Sequence, residues 1–360
     1  MPPSSRRDAV AGENVVPVLD LFAGAGGLTA GFVSTGRFRS VGAVERDPHA
    51  AATYALNHGD HVVVGDIAQY AEGSFPRAEV VLGGPPCQGF SLLGKRDSDD
   101  PRNRMWQHYL RVLERVRPAF FVMENVPRFL ESPEYQALAA EASRGGRLQG
   151  WSLEAWVLNA ADHGGAQNRR RAFLVGRRAG TRPLGRPDLD ARRTCLADVL
   201  ADVDVRPSAA RLPESWVEVN GALHPGAFKS HDLHFMPAAT PLSRARYESI
   251  PYGGSRRDLS DHLLAECWRG NTRGASDVMG RLVWERPAVT VRTEFYRPEK
   301  GRFLHPTEHR PITHLEAARI QGFPDDYLWV GTRASIARQI GNAVPPPLAR
   351  AVAGRLAEHL

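Results

Sequence analysis

Through the first half of the chain, short apolar runs alternate with amphipathic stretches. Runs rich in β-branched and aromatic residues predict strands at Val15–Phe22, Val41–Glu45, His61–Val64, Glu79–Leu82 and Ala119–Met123. Between them, apolar residues at helical spacing predict helices such as Leu28–Ser34, Pro48–Leu56 and Met105–Val116. This alternation predicts an α/β class domain with a doubly wound, mainly parallel sheet. Two further strands, Leu153–Asn159 and Arg171–Val175, are joined through Asp162-His163-Gly164-Gly165 and should finish it as an edge hairpin, making the sheet mixed.

From about Arg177 to Glu285 the periodicity fades and Pro, Gly, Arg, His and Trp dominate, which predicts a smaller second domain of irregular structure. Helical spacing returns from Thr313 to Gln321 and again from Pro347 to Leu360. The expected organisation is a disordered tail at 1–14, a catalytic and cofactor-binding domain at 15–178 and the irregular domain at 179–286. A hinge and return segment follows at 287–330, and a segment at 331–360 packs back onto the first domain.

Composition narrows the class. The 360 residues are 42% apolar and 24% charged, values of a soluble globular protein. No apolar run is long enough to span a bilayer, and the amino-terminal residues lack the apolar core of a secretory signal. Cys87, Cys195 and Cys267 are odd in number and too widely spaced for a zinc knuckle, so neither disulfides nor a metal is expected, and a reducing cytoplasm is. A net charge of +6, with arginines crowded between Arg169 and Arg193, suits a polyanionic partner and equally a solvated basic face.

The chemistry gathers at predicted strand ends, where open α/β sheets bind ligands. The first strand runs into Phe22-Ala23-Gly24-Ala25-Gly26-Gly27-Leu28, whose glycines let a ligand approach the backbone beside free helix N–H groups. The second ends in Glu45-Arg46, where a carboxylate can accept both hydroxyls of a ribose, and the third closes in Gly65-Asp66-Ile67, where Asp66 can accept an adenine amino group. The glycine spacing departs from the dinucleotide fingerprint and no Gly-Lys-Ser/Thr follows, while Phe22 suits a sulfonium. S-adenosylmethionine is therefore preferred over NAD or ATP.

The fourth strand leads into Gly84-Pro85-Pro86-Cys87-Gln88, a turn that holds a thiol rigidly. Such a cysteine suits a nucleophile, though a lone cysteine is also a common filler of apolar corners. The fifth strand ends in Glu124-Asn125-Val126-Pro127, beside the fourth in a doubly wound sheet. Thiolate, acid and methyl donor together suggest attack on cytosine C6, with Glu124 at N3 and N4 stabilising the charge that develops on the ring.

With these residues the chain resembles the DNA (cytosine-5)-methyltransferase family, of bacterial restriction–modification type. The resemblance is carried by Phe22–Gly27, by Gly84–Ser91, by Glu124-Asn125-Val126 and by Gln167-Asn168-Arg169-Arg170-Arg171. Ala318–Pro324 and Gln339–Pro346 complete it, in the family's order. It implies a sheet of the class I S-adenosylmethionine-dependent methyltransferase type, with residues 179–286 as the target-recognition domain. It implies that Arg171 contacts cytosine O2 and that Arg169 supports the site. Asn342 and Val344 would return to the cofactor pocket, with Pro86 also on its wall. Gln88, Ser91, Lys95 and Arg96 would lie on a loop that closes over double-stranded DNA, and the target base would be flipped from the duplex. The product is S-adenosylhomocysteine, with no metal. Departures at Ala166, Asn168 and Leu315 remove none of these groups.

The expected protein is thus a monomeric modification enzyme acting in a short duplex sequence, with any cognate restriction endonuclease acting separately. A tRNA cytosine-5 methyltransferase and a catalytically silent DNA-binding regulator are the alternatives. Trp216, Trp268 and Trp284 are expected in the core, and Cys195 and Cys267 are expected to be structural.

Overall fold

The computed structural model describes residues 15–86, 105–269 and 277–360. Its strands are β1 (Val16–Leu21), β2 (Phe38–Glu45), β3 (Val62–Val64), β4 (Val80–Gly83), β5 (Phe120–Asn125), β6 (Trp151–Asn159), the two-residue β7 (Gln167–Asn168) and β8 (Arg170–Arg178). All but β7 form one sheet in the order β3-β2-β1-β4-β5-β8-β6. The first five pair in parallel, and β8 runs antiparallel to both β5 and β6. The chain winds outward from β1 to β3 and returns to β4 on the other side of β1. The carboxyl ends of β1 and β4 therefore flank the point where winding reverses, the place such sheets leave open for a ligand.

Alternation along the central strands sends successive side chains to opposite faces. Val18, Val80, Leu82, Phe120 and Val122 pack on one face against helices α1 (Gly27–Val33) and α10 (Pro346–Ala357). Leu19, Leu21, Val81, Phe121 and Met123 pack on the other against α4 (Met105–Val116). In α4, Trp106, Tyr109, Leu110 and Leu113 recur at helical spacing and are buried, and the Tyr109 hydroxyl donates to the carbonyls of Val81 (2.9 Å) and Val122 (3.2 Å). Between them lie α2 (Pro48–His58) and the single turn α3 (Ile67–Tyr70), each started by an aspartate that accepts backbone N–H groups, Asp47 and Asp66. Helix α5 (Pro133–Ala140) follows β5.

The expected irregular region contains α6 (Leu196–Leu200), α7 (Pro241–Ser249) and a hairpin of β9 (Trp216–Val219) with β10 (Ala222–Pro225). It does not have a single core of its own. Leu196, Leu200, Phe228 and Leu233 share one core with Leu282, Val291, Phe295 and residues of α8 (His314–Gln321) and α9 (Arg333–Asn342). A smaller cluster gathers Tyr247, Ile250, Leu259, Leu263, Met279 and Leu304. Inside the shared core, Thr313 and Glu316 cap α8 reciprocally, and both carboxylate oxygens of Glu316 accept from the buried Arg310 guanidinium.

Two expectations fail here. Trp216 is not a core residue; it is 63% exposed, because the hairpin turns Val217 and Val219 inward toward α2 and leaves Trp216 and Leu223 on the outer face. Cys267 is exposed, and Trp268 and Trp284 are only half-buried at the edge of their clusters. Among the described residues no helix is long and apolar enough to cross a membrane.

The contact between α1 and α10 is close because Gly31 carries no side chain. A Cβ there would stand 2.4 Å from that of Ala349 and 2.5 Å from the Pro346 carbonyl oxygen. Gly354, also in α10, has open space around it. Gly31→Ala should destabilise the protein by about 1–3 kcal/mol through overpacking. Gly354→Ala should stabilise it by about 0.5–1 kcal/mol through helix propensity. Urea unfolding of the two variants checks the pair, and equal effects would contradict this packing.

Candidate active site

The carboxyl ends of β1, β2, β4 and β5 open into one cleft of about 910 Å³. Its first wall is the turn after β1. Phe22 has φ 58°, Gly24 56° and Gly26 88°, so three residues take left-handed conformations and swing the backbone aside before α1. A Cβ on Gly24 would meet nothing within 4 Å, so the turn borders empty space, whereas one on Gly27 would stand 2.5 Å from the Val344 carbonyl oxygen. The carboxyl-terminal segment is thereby brought against the first glycine turn. Beneath the turn, the His58 imidazole and Tyr327 hydroxyl are hydrogen-bonded at 3.0 Å, and Tyr327 donates to the Ala25 carbonyl.

Glu45 stands across from this turn. One of its oxygens accepts the Gly24 N–H at 2.8 Å and the other the Asp47 N–H at 2.7 Å, which fixes the carboxylate and leaves lone pairs toward the cleft. Burial pushes its pKa up, against those hydrogen bonds. Asp66 accepts the Ala68 N–H and faces the Arg46 guanidinium at 3.8 Å. Phe22, Ala23, Gly24, Gly27, Leu28, Glu45, Arg46, Asp66, Ile67, Pro86, Asn342 and Val344 all line this cleft; Gly26 lies just behind it, packed on His58. The open glycine cradle and the fixed carboxylate fit an adenosine-containing cofactor that bears ribose hydroxyls.

The second half of the cleft is polar and crowded. Arg171 Nε lies 2.8 Å from Glu124 Oε1, both side chains mostly buried, and Gly84 leaves room beside Glu124, since a Cβ there would stand 3.2 Å from Oε2. Burial drives the Glu124 carboxyl above its ordinary range, and Arg171 and Arg169 pull it back. Asn125 donates to the Pro85 carbonyl at 3.2 Å and ties the end of β5 to the turn after β4. Pro86 is the last described residue there. Cys87, Gln88, Ser91, Lys95 and Arg96 lie outside the described residues.

Arg169 is fully buried. It donates to the carbonyls of Val291 (2.9 Å) and Gly341 (2.8 Å), and burial pushes its pKa well down, though a guanidinium stays charged at any ordinary pH. Beside it, Gln167 donates to Gln321 Oε1 at 2.6 Å and accepts the Val291 N–H at 3.1 Å. Strand β7 also pairs with β11 (Ala288–Val289). These bonds bring Thr290–Thr293 and Arg338 onto the cleft wall, residues that no pattern in the sequence had singled out. Asp20 was missed as well: it is buried at the base of the cleft and accepts from Thr29 at 2.6 Å. Its position just before the glycine turn was the available signal. Among the described residues no cluster of His, Cys, Asp and Glu could hold a metal ion.

Residues 16–358 match the C-5 cytosine-specific DNA methylase family. The chain belongs to that family. This methylase is 35% identical to the Type II methyltransferase M.XorII of Xanthomonas oryzae pv. oryzae, over 95% of this chain and 84% of the relative. It is 32% identical to M.DdeI of Desulfomicrobium norvegicum, over 94% and 88%. Among solved structures, one described as a DNA modification methyltransferase encoded within an Escherichia coli prophage aligns with TM-score 0.71 and 24% identity. That alignment covers 96% of this chain and 99% of the other and shows the shared fold.

Burial raises the Asp20 carboxyl from 3.8 to about 7, so the folded methylase holds a proton that the unfolded chain gives up. Stability should therefore fall as pH rises from about 4 to about 7. Asp20→Asn removes that slope. Relative to wild type the variant should gain up to about 4 kcal/mol between about pH 4 and pH 8, read from urea unfolding at each pH. An unchanged slope would contradict the buried carboxyl.

Proposed function

We propose that this methylase transfers a methyl group to C5 of cytosine in a short, specific double-stranded DNA sequence, with Cys87 as nucleophile and S-adenosylmethionine as donor. The observation that carries the reading is the meeting of the Glu124–Arg171 pair and Pro86 in one cleft with the glycine turn and Glu45. In the sequence Cys87 directly follows Pro86.

Phe22, Gly24, Gly27, Leu28, Glu45, Asp66, Ile67, Asn342 and Val344 would hold the cofactor, with Glu45 on its ribose. When bound, it supplies an electrophilic methyl group and leaves as S-adenosylhomocysteine. The Cys87 thiolate attacks C6, the 5,6 double bond opens, and its electrons make C5 nucleophilic. Glu124, its pKa raised by burial, shares or donates a proton at N3 and takes up charge that would otherwise build on the ring. Arg171 keeps Glu124 oriented and presents a second donor to the base, while Arg169 holds the wall behind it. Methyl transfer, loss of the C5 proton and departure of the thiolate then restore the aromatic ring. An unstacked cytosine is needed for approach from above its plane, which supports base flipping.

The irregular 179–286 region serves as the target-recognition domain, with 287–330 as hinge and 331–360 closing the cofactor wall. The Type II names of relatives support a modification enzyme that protects DNA against a separately acting endonuclease. A single asymmetric chain suffices, because it can act on each strand in turn.

Bisulfite sequencing of DNA from a methylation-free host expressing the chain tests the reading. The expected result is cytosine protection within one short motif, absent from the Cys87→Ser control. Soluble protein without protection would overturn the DNA reading and favour an RNA substrate or a silent binding role. Cys87→Ser should retain cofactor and DNA binding. Glu124→Gln should lower kcat by about 10²–10⁴-fold with KM little changed, measured by tritium transfer.

A further inference from the structure

A line of five hydrogen-bonded side chains runs from the base of the cleft to the protein surface, and the reaction above uses none of them. Thr29 Oγ1 donates to Asp20 Oδ2 at 2.6 Å and meets Tyr54 Oη at 3.2 Å. Tyr54 Oη meets Ser40 Oγ at 2.8 Å, and Ser40 Oγ meets His61 Nε2 at 2.7 Å. Asp20, Thr29 and Tyr54 are buried, whereas His61 reaches solvent. Each hydroxyl in the line can either donate or accept, so the line can pass a proton by reorientation.

Its inner end is an unusual place for an acid. The titratable groups whose charge acts on Asp20, or which feel its charge, are Glu45 of β2, Tyr54 of α2, Tyr109 of α4 and Tyr327 of the return segment. Burial raises all three tyrosine hydroxyls, so they stay neutral, and Glu45 repels a second negative charge. An ionised Asp20 therefore lacks a counter-charge among these neighbours, and a cation entering the cleft would supply one. On the cofactor reading above, on which this inference rests, the donor carries a sulfonium and the product a neutral thioether.

We propose that Asp20 is the residue by which the cleft distinguishes the charged methyl donor from its neutral product. It releases a proton to solvent through Thr29, Tyr54, Ser40 and His61 when the sulfonium binds, and regains one when the thioether is left. Donor affinity then rises with pH across neutrality, because the ionised carboxylate is the form that attracts the cation. Product affinity does not follow it.

Calorimetric titration of the full chain with S-adenosylmethionine and S-adenosylhomocysteine tests this, in two buffers of different ionisation enthalpy near neutral pH. Wild type should release roughly half a proton more with the donor than with the product. Asp20→Asn should abolish that difference and lower the donor-to-product affinity ratio by about tenfold, while product affinity is retained. Equal proton release by wild type with both ligands would overturn the proposal, whatever the variant does, and so would a difference that survives in Asp20→Asn. Failure of either ligand to bind would instead overturn the cofactor reading and this inference together. Rapid mixing with a pH indicator tests the path. In Tyr54→Phe, proton release should lag behind donor binding at least tenfold relative to wild type, and simultaneous signals would exclude the relay.

Discussion

A charged guanidinium buried without partners would cost several kcal/mol, and Arg169 is fully buried. Its two terminal nitrogens are satisfied only because Val291 and Gly341, 122 and 172 residues away in sequence, present carbonyls to it. That requirement draws the segment after the irregular region and the end of α9 onto the junction of β7 and β8. Gln167 and Gln321 reinforce the same junction from a neighbouring layer. Without this clasp the cleft would have the walls supplied by β1, β2, β4 and β5 but no opposite side. With it, Thr290–Thr293 and Gly341–Val344 line the cleft together with the glycine turn, and both ends of the chain build one site.

The cleft's electrostatics follow from the same burial. Asp20, Glu45 and Glu124 are carboxyls whose pKa values are all raised by desolvation, and what opposes it differs at each. Glu45 is opposed by backbone N–H groups that fix its direction. Glu124 is opposed by the Arg171 and Arg169 guanidinium groups, charged partners rather than backbone donors. Asp20 is opposed by the Thr29 hydroxyl, a single neutral donor. The carboxyl end of the sheet thus presents three buried acids, each held by a different kind of neighbour.

The seven-stranded sheet was largely legible because its central strands β1, β4 and β5 are short buried runs ending at turn signals, and β4, Val-Val-Leu-Gly, is buried throughout. Its ends were legible as chemistry for the same reason: glycines, Glu45 and Glu124 stand where the apolar run stops. The second half was less so. Leu196, Phe228 and Leu282 lie far apart in sequence yet share a core with α8, so a boundary at residue 286 divides what packing joins. Trp216 was misread because its two-stranded ribbon has one apolar face inward and another outward, and alternation alone cannot say which is covered. The line from Asp20 to His61 depends on the register of β1 against β2 and on the angle of α2, which no local pattern encodes.

The central claim is covalent attack by Cys87 on the target base in this cleft. Fluorine at C5 cannot leave as a proton does, so a 5-fluorocytosine placed at the methylated position stops the reaction after methyl transfer with the thiol still bonded to C6. Mass spectrometry of the digested complex with duplex DNA and S-adenosylmethionine should find the methylated fluoronucleotide on the peptide containing Cys87. An adduct on Cys195 or Cys267, or methyl transfer to normal DNA with no adduct on the fluorinated duplex, would contradict the account.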